Sequence, residues 1–447
     1  SVERLLGEAI MERGRHDPTY IADLDINQYL TQLGRDLAAH APQPLDQRIT
    51  VFPVRDSQIN AFAMPGGYIG INSGLAVAAQ SESELAAVLA HEIGHVMQRH
   101  IARGISQQSQ GTGIMIASMV GALLAALAGQ GDLAMGVATF GQAAAIDRQL
   151  GFSRSAEQEA DRAGLQMMSR AGFDTRGMVQ MFQRLMNASR LNEGTGGGYA
   201  STHPLSIQRM SDIQNRVREA GPKAHRDSAE FWFARAHLWL LQSRTSAEQQ
   251  RMRLALRSDA DQAQGARKAA ALYGLARLAW QAKDAALARQ YLGQARQAAP
   301  AAALDILAIQ IERAQGGDAQ ALAAAAWARW PQSPGMAMAM AQVMQSAGQN
   351  AKAVEFLRAR IAQWPDIPEF QKLLATSLDH LQHPVQAREA MARYHEETGG
   401  LSTAVELLQQ ARNISTDFYE QSRLDTRIQA LRQRLDTQRA LLERFKS

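Results

Sequence analysis

Residues 81–95 read SESELAAVLAHEIGH, and they combine a helix start with an H-E-x-x-H motif. Ser81 and Glu84 have the spacing of a capping box, in front of a run of apolar residues. No proline interrupts the chain from Ser81 to Arg103, and Ala, Leu and Glu favour helix. The sequence therefore predicts a helix of about 20 residues that contains the whole motif.

On such a helix His91 and His95 lie on one face, so both imidazoles can bind the same metal ion. Glu92 is rotated to the side, where its carboxylate can take a proton from the water that attacks a substrate. Catalytic zinc usually takes three protein ligands and keeps one position for water. The motif thus predicts one Zn²⁺ ion and requires a third ligand from elsewhere in the chain.

The candidate for this third ligand lies in residues 153–161, SRSAEQEAD. Ser153 or Ser155 can cap a second helix, on which Glu157 and Asp161 share a face. Glu157 can complete the zinc ligands, and Asp161 can accept a hydrogen bond from a ligand histidine and so fix its tautomer. The alternative is an ordinary acidic helix face in contact with solvent.

H-E-I-G-H followed by E-x-x-A-D resembles the membrane-associated zinc metallopeptidases that include HtpX and the CAAX prenyl endopeptidases. Residues 60–67, NAFAMPGG, are similar to the N-A-F-x-x-P-G-G segment of that family. Residues 201–204, STHP, are similar to its T-H-P segment. The similarity covers residues from about 50 to 215, and with the helical half that follows, the chain most resembles the periplasmic BepA-type proteases.

The resemblance implies quality control of outer-membrane β-barrel proteins. The implied clients are unfolded or misfolded outer-membrane proteins, and the implied partner of the repeat half is the β-barrel assembly machinery. The implied location is the periplasm of a Gram-negative bacterium. Because the chain begins with Ser1 and not Met, it fits a protein whose signal peptide has been removed, or a trimmed chain.

His203 is the third histidine that the resemblance places at the metal. It can act as a fourth ligand that blocks the water position, or donate a hydrogen bond to the oxyanion formed on the scissile carbonyl. A displaceable fourth ligand would make the enzyme latent, because a closed tetrahedral zinc has no activated water. The alternative is a capping or packing histidine in front of Pro204.

Composition excludes two classes of function. The net charge is only +4, and no basic cluster with interleaved aromatic residues is present, so nucleic-acid binding is not expected. The absence of cysteine excludes disulfides and thiol chemistry.

The predicted fold class is mainly α, with an α+β zincin-like metallopeptidase domain in residues 1–222. Short strands are predicted at 49–54, 59–64 and 68–71, with Pro53 indicating a sheet edge or a bulge. The uncharged region at about 104–146 is predicted to form an inserted helical hairpin that covers the active site or makes peripheral contact with the membrane surface. A membrane-spanning hairpin and ordinary core helices are the alternatives.

Residues 223–447 are predicted to form a tetratricopeptide-repeat solenoid. Trp330-Pro331 and Trp364-Pro365 recur 34 residues apart, which is the period of that repeat. We expect about four stacked helical pairs with a concave protein-binding surface, closed by a C-terminal capping helix. A coiled-coil dimer seam is the alternative for the last helix.

Two functions from different classes follow from these patterns. The first is a zinc-dependent endopeptidase that degrades misfolded or stalled outer-membrane β-barrel proteins and assists their assembly. The second is a chaperone or adaptor of the assembly machinery, in which the repeats carry the function and the protease is largely latent.

Overall fold

The computed structural model describes residues 2–98, 139–150, 152–191 and 198–444, which form helices and one small sheet. This confirms the predicted fold class. In chain order the elements are α1 Val2–Gly14, α2 Leu24–Ala38, β1 Thr50–Val54, β2 Ala61–Met64, β3 Tyr68–Asn72, α3 Ser73–Ala78, α4 Glu82–Met97, α5 Thr139–Leu150, α6 Arg154–Ala171, α7 Arg176–Leu191, α8 Tyr199–Thr202, α9 Ile207–Ala220, α10 Ala229–Gln242, α11 Ser246–Gln262, α12 Gly265–Gln281, α13 Ala285–Ala298, α14 Ala302–Ala314, α15 Gln320–Arg329, α16 Pro334–Ser346, α17 Asn350–Gln363, α18 Glu369–His380, α19 Pro384–Glu397, α20 Leu401–Ile414 and α21 Phe418–Arg444.

The chain forms two compact units, residues 1–278 with 293–299, and residues 279–292 with 300–447. The first unit contains the sheet and the H-E-x-x-H helix α4. Helices α14 to α21 form four consecutive pairs in the second unit. Helices α10 to α13 precede them, so the described part of residues 223–447 contains twelve helices where about four pairs were expected. The domain boundary predicted between residues 222 and 223 stays a prediction.

The three predicted strands form one sheet in the order β1-β3-β2. Strand β1 runs parallel to β3, and β2 runs antiparallel to β3. Pro53 lies in β1, which is an edge strand as its proline predicts. The other edge is β2, and it packs against α4, so the sheet supports the helix that carries the histidine pair.

Helix α4 begins as the sequence predicts but with only half of a capping box. The Ser81 hydroxyl accepts a hydrogen bond from the Glu84 backbone N–H at 3.2 Å. The Glu84 carboxylate instead accepts from the Gln80 backbone N–H and pairs with Arg184, a residue too distant in sequence for a local motif to anticipate. The helix ends at Met97, and residues 99–138 lie outside the described ranges.

Helix α6 packs closely against α4 because small residues lie at the crossing. A Cβ atom at Gly94 would lie 3.1 Å from both the Cα and the carbonyl oxygen of Ala160, closer than side chains normally pack. Ser153 caps α6 by accepting from the Ala156 N–H, and Gly172 ends it in the left-handed region at φ 91°. The close crossing brings the acidic face of α6 against the histidines of α4.

The first turn of α4 is tied to the segment that leads into α10. The buried Glu82 carboxylate accepts hydrogen bonds from the Tyr29 hydroxyl, the Ser228 hydroxyl and the Ser228 backbone N–H. His225 lies 2.8 Å from the same carboxylate through its Nε2 atom. Helix α10, which begins at Ala229, then packs on α3 and α2. Residues 225–242 are therefore integral to the packing around the H-E-x-x-H helix.

The second unit packs as its sequence pattern indicates. Met336 is fully buried in a core with Ile309, and Met340 packs against that core, so these methionines act mainly as core residues. Helix α21 buries Leu424, Ile428 and Leu431 in the core it shares with α20. Its first half thus packs as the predicted capping helix does.

The predicted hairpin at about 104–146 falls almost entirely outside the described residues. Only positions 139–146 are described, as part of α5. Among the helices of the described ranges, none combines the length and the apolar character needed to cross a membrane.

Candidate metal centre

Four buried side chains from three helical segments converge on one point. Helix α4 contributes His91 and His95, α6 contributes Glu157, and His203 follows directly after α8. Each offers one possible ligand atom, and these four atoms all lie within 4.8 Å of one another. Their side chains are at most 4% exposed.

The spacing within this cluster matches a four-coordinate metal site. The Nε2 atoms of His91 and His95 lie 3.0 Å apart, and each lies 3.2 Å from a Glu157 oxygen. The Nδ1 atom of His203 lies 2.9 Å from Glu157 Oε1 and 3.4 Å from His91 Nε2. A tetrahedral zinc with bonds of about 2.0–2.1 Å separates its ligand atoms by about 3.3–3.4 Å. The residues therefore fit a metal ion of this kind.

Asp161 fixes the orientation of His91. Its Oδ1 atom lies 2.9 Å from His91 Nδ1, so this nitrogen donates to the carboxylate and Nε2 points into the cluster. Arg209, from α9, holds Asp161 with two hydrogen bonds of 2.8 and 2.9 Å. The same guanidinium lies 3.0 Å from Glu157 Oε2. Arg209 thereby positions both buried acidic residues of α6.

Glu92 lies beside the cluster and not within it. The Tyr199 hydroxyl donates a hydrogen bond of 2.8 Å to Glu92 Oε1, and His203 Nε2 lies 3.3 Å from the same oxygen. Glu92 Oε2 is buried and has no hydrogen-bond partner among the described residues. A buried carboxylate oxygen of this kind is available to receive a proton.

The ionisable groups of the cluster shift one another's pKa values. Burial disfavours the charged form of His91, but Glu157 and Asp161 outweigh it and raise the pKa of His91 to about 10. Burial keeps the pKa of His95 well below its usual value, so His95 is neutral. Although burial opposes it, the surrounding histidines hold the pKa of Glu157 well below its usual range. An ionised carboxylate and neutral imidazoles are the forms that bind a metal.

His203 packs against two aromatic rings. Its ring stacks on Tyr199 with centroids 4.3 Å apart, and Phe152 stacks on it at 5.2 Å. In this position its Nδ1 atom faces Glu157 at 2.9 Å, whereas its Nε2 atom faces Glu92 at 3.3 Å. If all four atoms held one tetrahedral ion, no position would remain for a water.

All six residues predicted for the site are brought together: His91, Glu92, His95, Glu157, Asp161 and His203. Sequence reasoning missed Arg209 and Tyr199. Arg209 could have been anticipated, since two buried carboxylates need a positive charge and this arginine lies shortly after His203. Tyr199 lies four residues before His203, but nothing in the sequence pairs its hydroxyl with Glu92.

Comparison with known proteins gives a consistent result. Residues 25–217 match the model of peptidase family M48. A beta-barrel assembly-enhancing protease of Escherichia coli strain K12 is 30% identical over 452 residues, 99% of this chain and 89% of that protein. A Vibrio cholerae protein with a corresponding name is 38% identical over 243 residues, 53% of this chain and 48% of that protein. The mitochondrial metalloendopeptidase OMA1 of Schizosaccharomyces pombe is 35% identical over 170 residues, 38% of this chain and 47% of that protein.

Proposed function

Because this chain belongs to peptidase family M48 and aligns over almost its whole length with a beta-barrel assembly-enhancing protease, we propose that it is a zinc endopeptidase acting on outer-membrane β-barrel proteins. It degrades those that are misfolded or stalled and assists the assembly of others. The observation that carries this proposal is the buried cluster of three imidazoles and one carboxylate beside Glu92.

In this proposal His91, His95 and Glu157 hold the ion, and His203 is a displaceable fourth ligand. Nitrogen and carboxylate donors in a four-coordinate shell favour zinc over magnesium or calcium, which prefer more oxygen ligands. When bound, zinc polarises the scissile carbonyl and lowers the pKa of the attacking water.

Proton transfer is the work of Glu92. Its Oε2 atom, which has no hydrogen-bond partner among the described residues, receives the proton of the attacking water. The same oxygen then delivers the proton to the leaving amine. Asp161 keeps the His91 lone pair directed at the ion, and Arg209 keeps Asp161 in place. His203 would control access to the ion, because a water ligand would need the position that its imidazole would hold. Support of the oxyanion by the displaced ring is the alternative.

In this proposal the second unit recognises client and partner proteins. A stack of helix pairs presents an extended surface suited to binding proteins. We assign to it the selection of unfolded clients and the docking onto the β-barrel assembly machinery, in the periplasm of a Gram-negative bacterium. Peripheral membrane contact through residues 104–146 belongs to the same proposal, as does the division into domains 1–222 and 223–447.

The experiment that tests the proposal is metal removal from the purified chain. Chelation should abolish cleavage of an unfolded outer-membrane barrel protein, and one equivalent of zinc should restore it. Magnesium at the same concentration is the control and should restore nothing. If the chelated protein cuts as well as the loaded one, the zinc endopeptidase is excluded.

Replacing Asp161 with Asn should lower zinc affinity about 10–100-fold, the usual effect of losing the partner of a ligand histidine. An amide accepts the His91 N–H less strongly than a carboxylate and leaves Arg209 with one ion-pair partner fewer. Competition with a chromophoric chelator measures the affinity. The control is Asp212→Asn, which breaks exposed ion pairs with Arg162 and Arg216 and should leave zinc binding unchanged. Equal affinities for the two variants would argue against a role of Asp161 at the metal.

Zinc binding at pH 7 should release about one proton per chain. In the metal-free cluster the pKa of His91 is about 10, so His91 is protonated at pH 7 and must lose this proton to bind zinc. Since the raised pKa stabilises the metal-free form below pH 10, the apparent zinc affinity should increase as the pH rises from 7 towards 10. Calorimetry in two buffers with different ionisation enthalpies counts the protons. A heat that is independent of the buffer would contradict this assignment.

A further inference from the structure

The short helix α8 places two functional groups one turn apart. Tyr199 is its first residue, and His203 follows its last. The two rings stack with centroids 4.3 Å apart, and the His203 N–H donates to the Tyr199 carbonyl. The ring stacking and the backbone hydrogen bond thus link the two residues within one turn.

Tyr199 is anchored at both ends. Its backbone N–H donates to the carbonyl of Ile59 at 3.1 Å, just before the edge strand β2. Its hydroxyl donates to Glu92 Oε1 at 2.8 Å. The side chain is buried, at 4% exposure, so water cannot readily replace the phenol as the donor to this carboxylate.

We propose that Tyr199 is a positioning residue that holds Glu92 while His203 occupies the fourth metal position. The closed site is then held by two contacts: the hydrogen bond from Tyr199 to Glu92, and His203 at the metal position. This rests on the proposed function and extends it to a residue outside the metal cluster. Opening requires the Tyr199–Glu92 hydrogen bond to break together with the His203 contacts. Loss of the His203 imidazole alone leaves α8 attached through Tyr199, with one oxygen of Glu92 still engaged.

The first test needs no catalysis. Tyr199→Phe keeps the ring that stacks on His203 and removes only the hydroxyl. In the zinc-loaded full chain it should speed the loss of zinc to a chelator about tenfold, the size expected for one hydrogen bond to a charged group. The control is Tyr291→Phe, the same change at a half-buried position in the second unit, which should leave the rate unchanged. Equal rates for the two variants overturn the proposal.

The second test separates kcat from KM. In a His203→Ala background, adding Tyr199→Phe should raise kcat about tenfold with KM unchanged, since the Glu92 carboxylate is no longer held in its closed-site position while client binding is untouched. An unchanged or lower kcat would show that the hydroxyl does not restrain the base. Thermal unfolding and zinc stoichiometry should match those of the Tyr291→Phe chain.

The two proposals can fail separately. If no variant cuts any client, the proposed function fails, but the chelation rates still decide whether Tyr199 holds the closed site. If His203→Ala cuts and both Tyr199→Phe measurements show no change, the endopeptidase stands and the role of Tyr199 falls.

Discussion

The Glu92→Gln variant should lose cleavage by a factor of about 10²–10⁴, the contribution of a positioned general base, while keeping its zinc. Glu92 is not among the four candidate ligands, so zinc content should not change. Gln has nearly the same shape, and its carbonyl oxygen can still accept the Tyr199 hydroxyl. What it lacks is a carboxylate that can take the water proton, so the loss should fall on kcat with KM unaffected.

The measurement is the rate of cleavage of an unfolded outer-membrane barrel protein, with zinc content and thermal unfolding in parallel. Glu159→Gln is the control, because it makes the same change on an exposed position of α6 and should cut at the native rate. Undiminished cleavage by Glu92→Gln would sink the endopeptidase mechanism. Cellular tests of the same variant address the adaptor function: if it keeps client binding and its role in the cell, the repeats carry the function.

His203→Ala should increase cleavage of the same client about 5–150-fold, the range of a typical coupling between a gate and a site. The imidazole occupies the position that water needs, with Nδ1 2.9 Å from Glu157 Oε1. Its removal leaves His91, His95 and Glu157, which is the usual number of protein ligands for catalytic zinc. Zinc affinity should therefore fall modestly while the active fraction rises.

The matched control is His380→Ala, at an exposed position in the second unit, which should cut at the native rate. A fall in kcat for His203→Ala, with zinc retained, would instead favour the alternative in which His203 supports the oxyanion. Rates measured at saturating zinc distinguish this outcome from simple loss of metal.

The helical periodicity of the sequence predicts which site residues share a helix face. It does not predict which helices contact each other. The pairs His91 with His95 and Glu157 with Asp161 follow from the 3.6-residue period of a helix, and the structure places each pair on one face. That the two helices meet depends on the close approach of Gly94 to Ala160. The short motif alone does not reveal this contact, and the family resemblance served in its place.

The capping box at α4 is a second case in which contacts between distant segments alter what a local pattern predicts. The pattern at Ser81 and Glu84 is satisfied only in part, because Arg184 from α7 and the Gln80 N–H engage the glutamate. Arg209 reaches Asp161 from 48 positions away. Contacts of this range are fixed by packing, so they can be inferred from sequence only as a need for an opposite charge near buried carboxylates.

The attachment of Glu82 to Ser228 and His225 has a consequence for how such proteins can be recombined. A chimaera joined at residue 222 would exchange the partners of a fully desolvated carboxylate at the start of the H-E-x-x-H helix. A junction placed after Gln242 would keep the Glu82 carboxylate, its partners Ser228 and His225, and α10 from the same parent protein. Residues 223–242 therefore belong with the peptidase in such an exchange, and Tyr273, whose ring packs against Phe233 of α10, has to stay compatible with them.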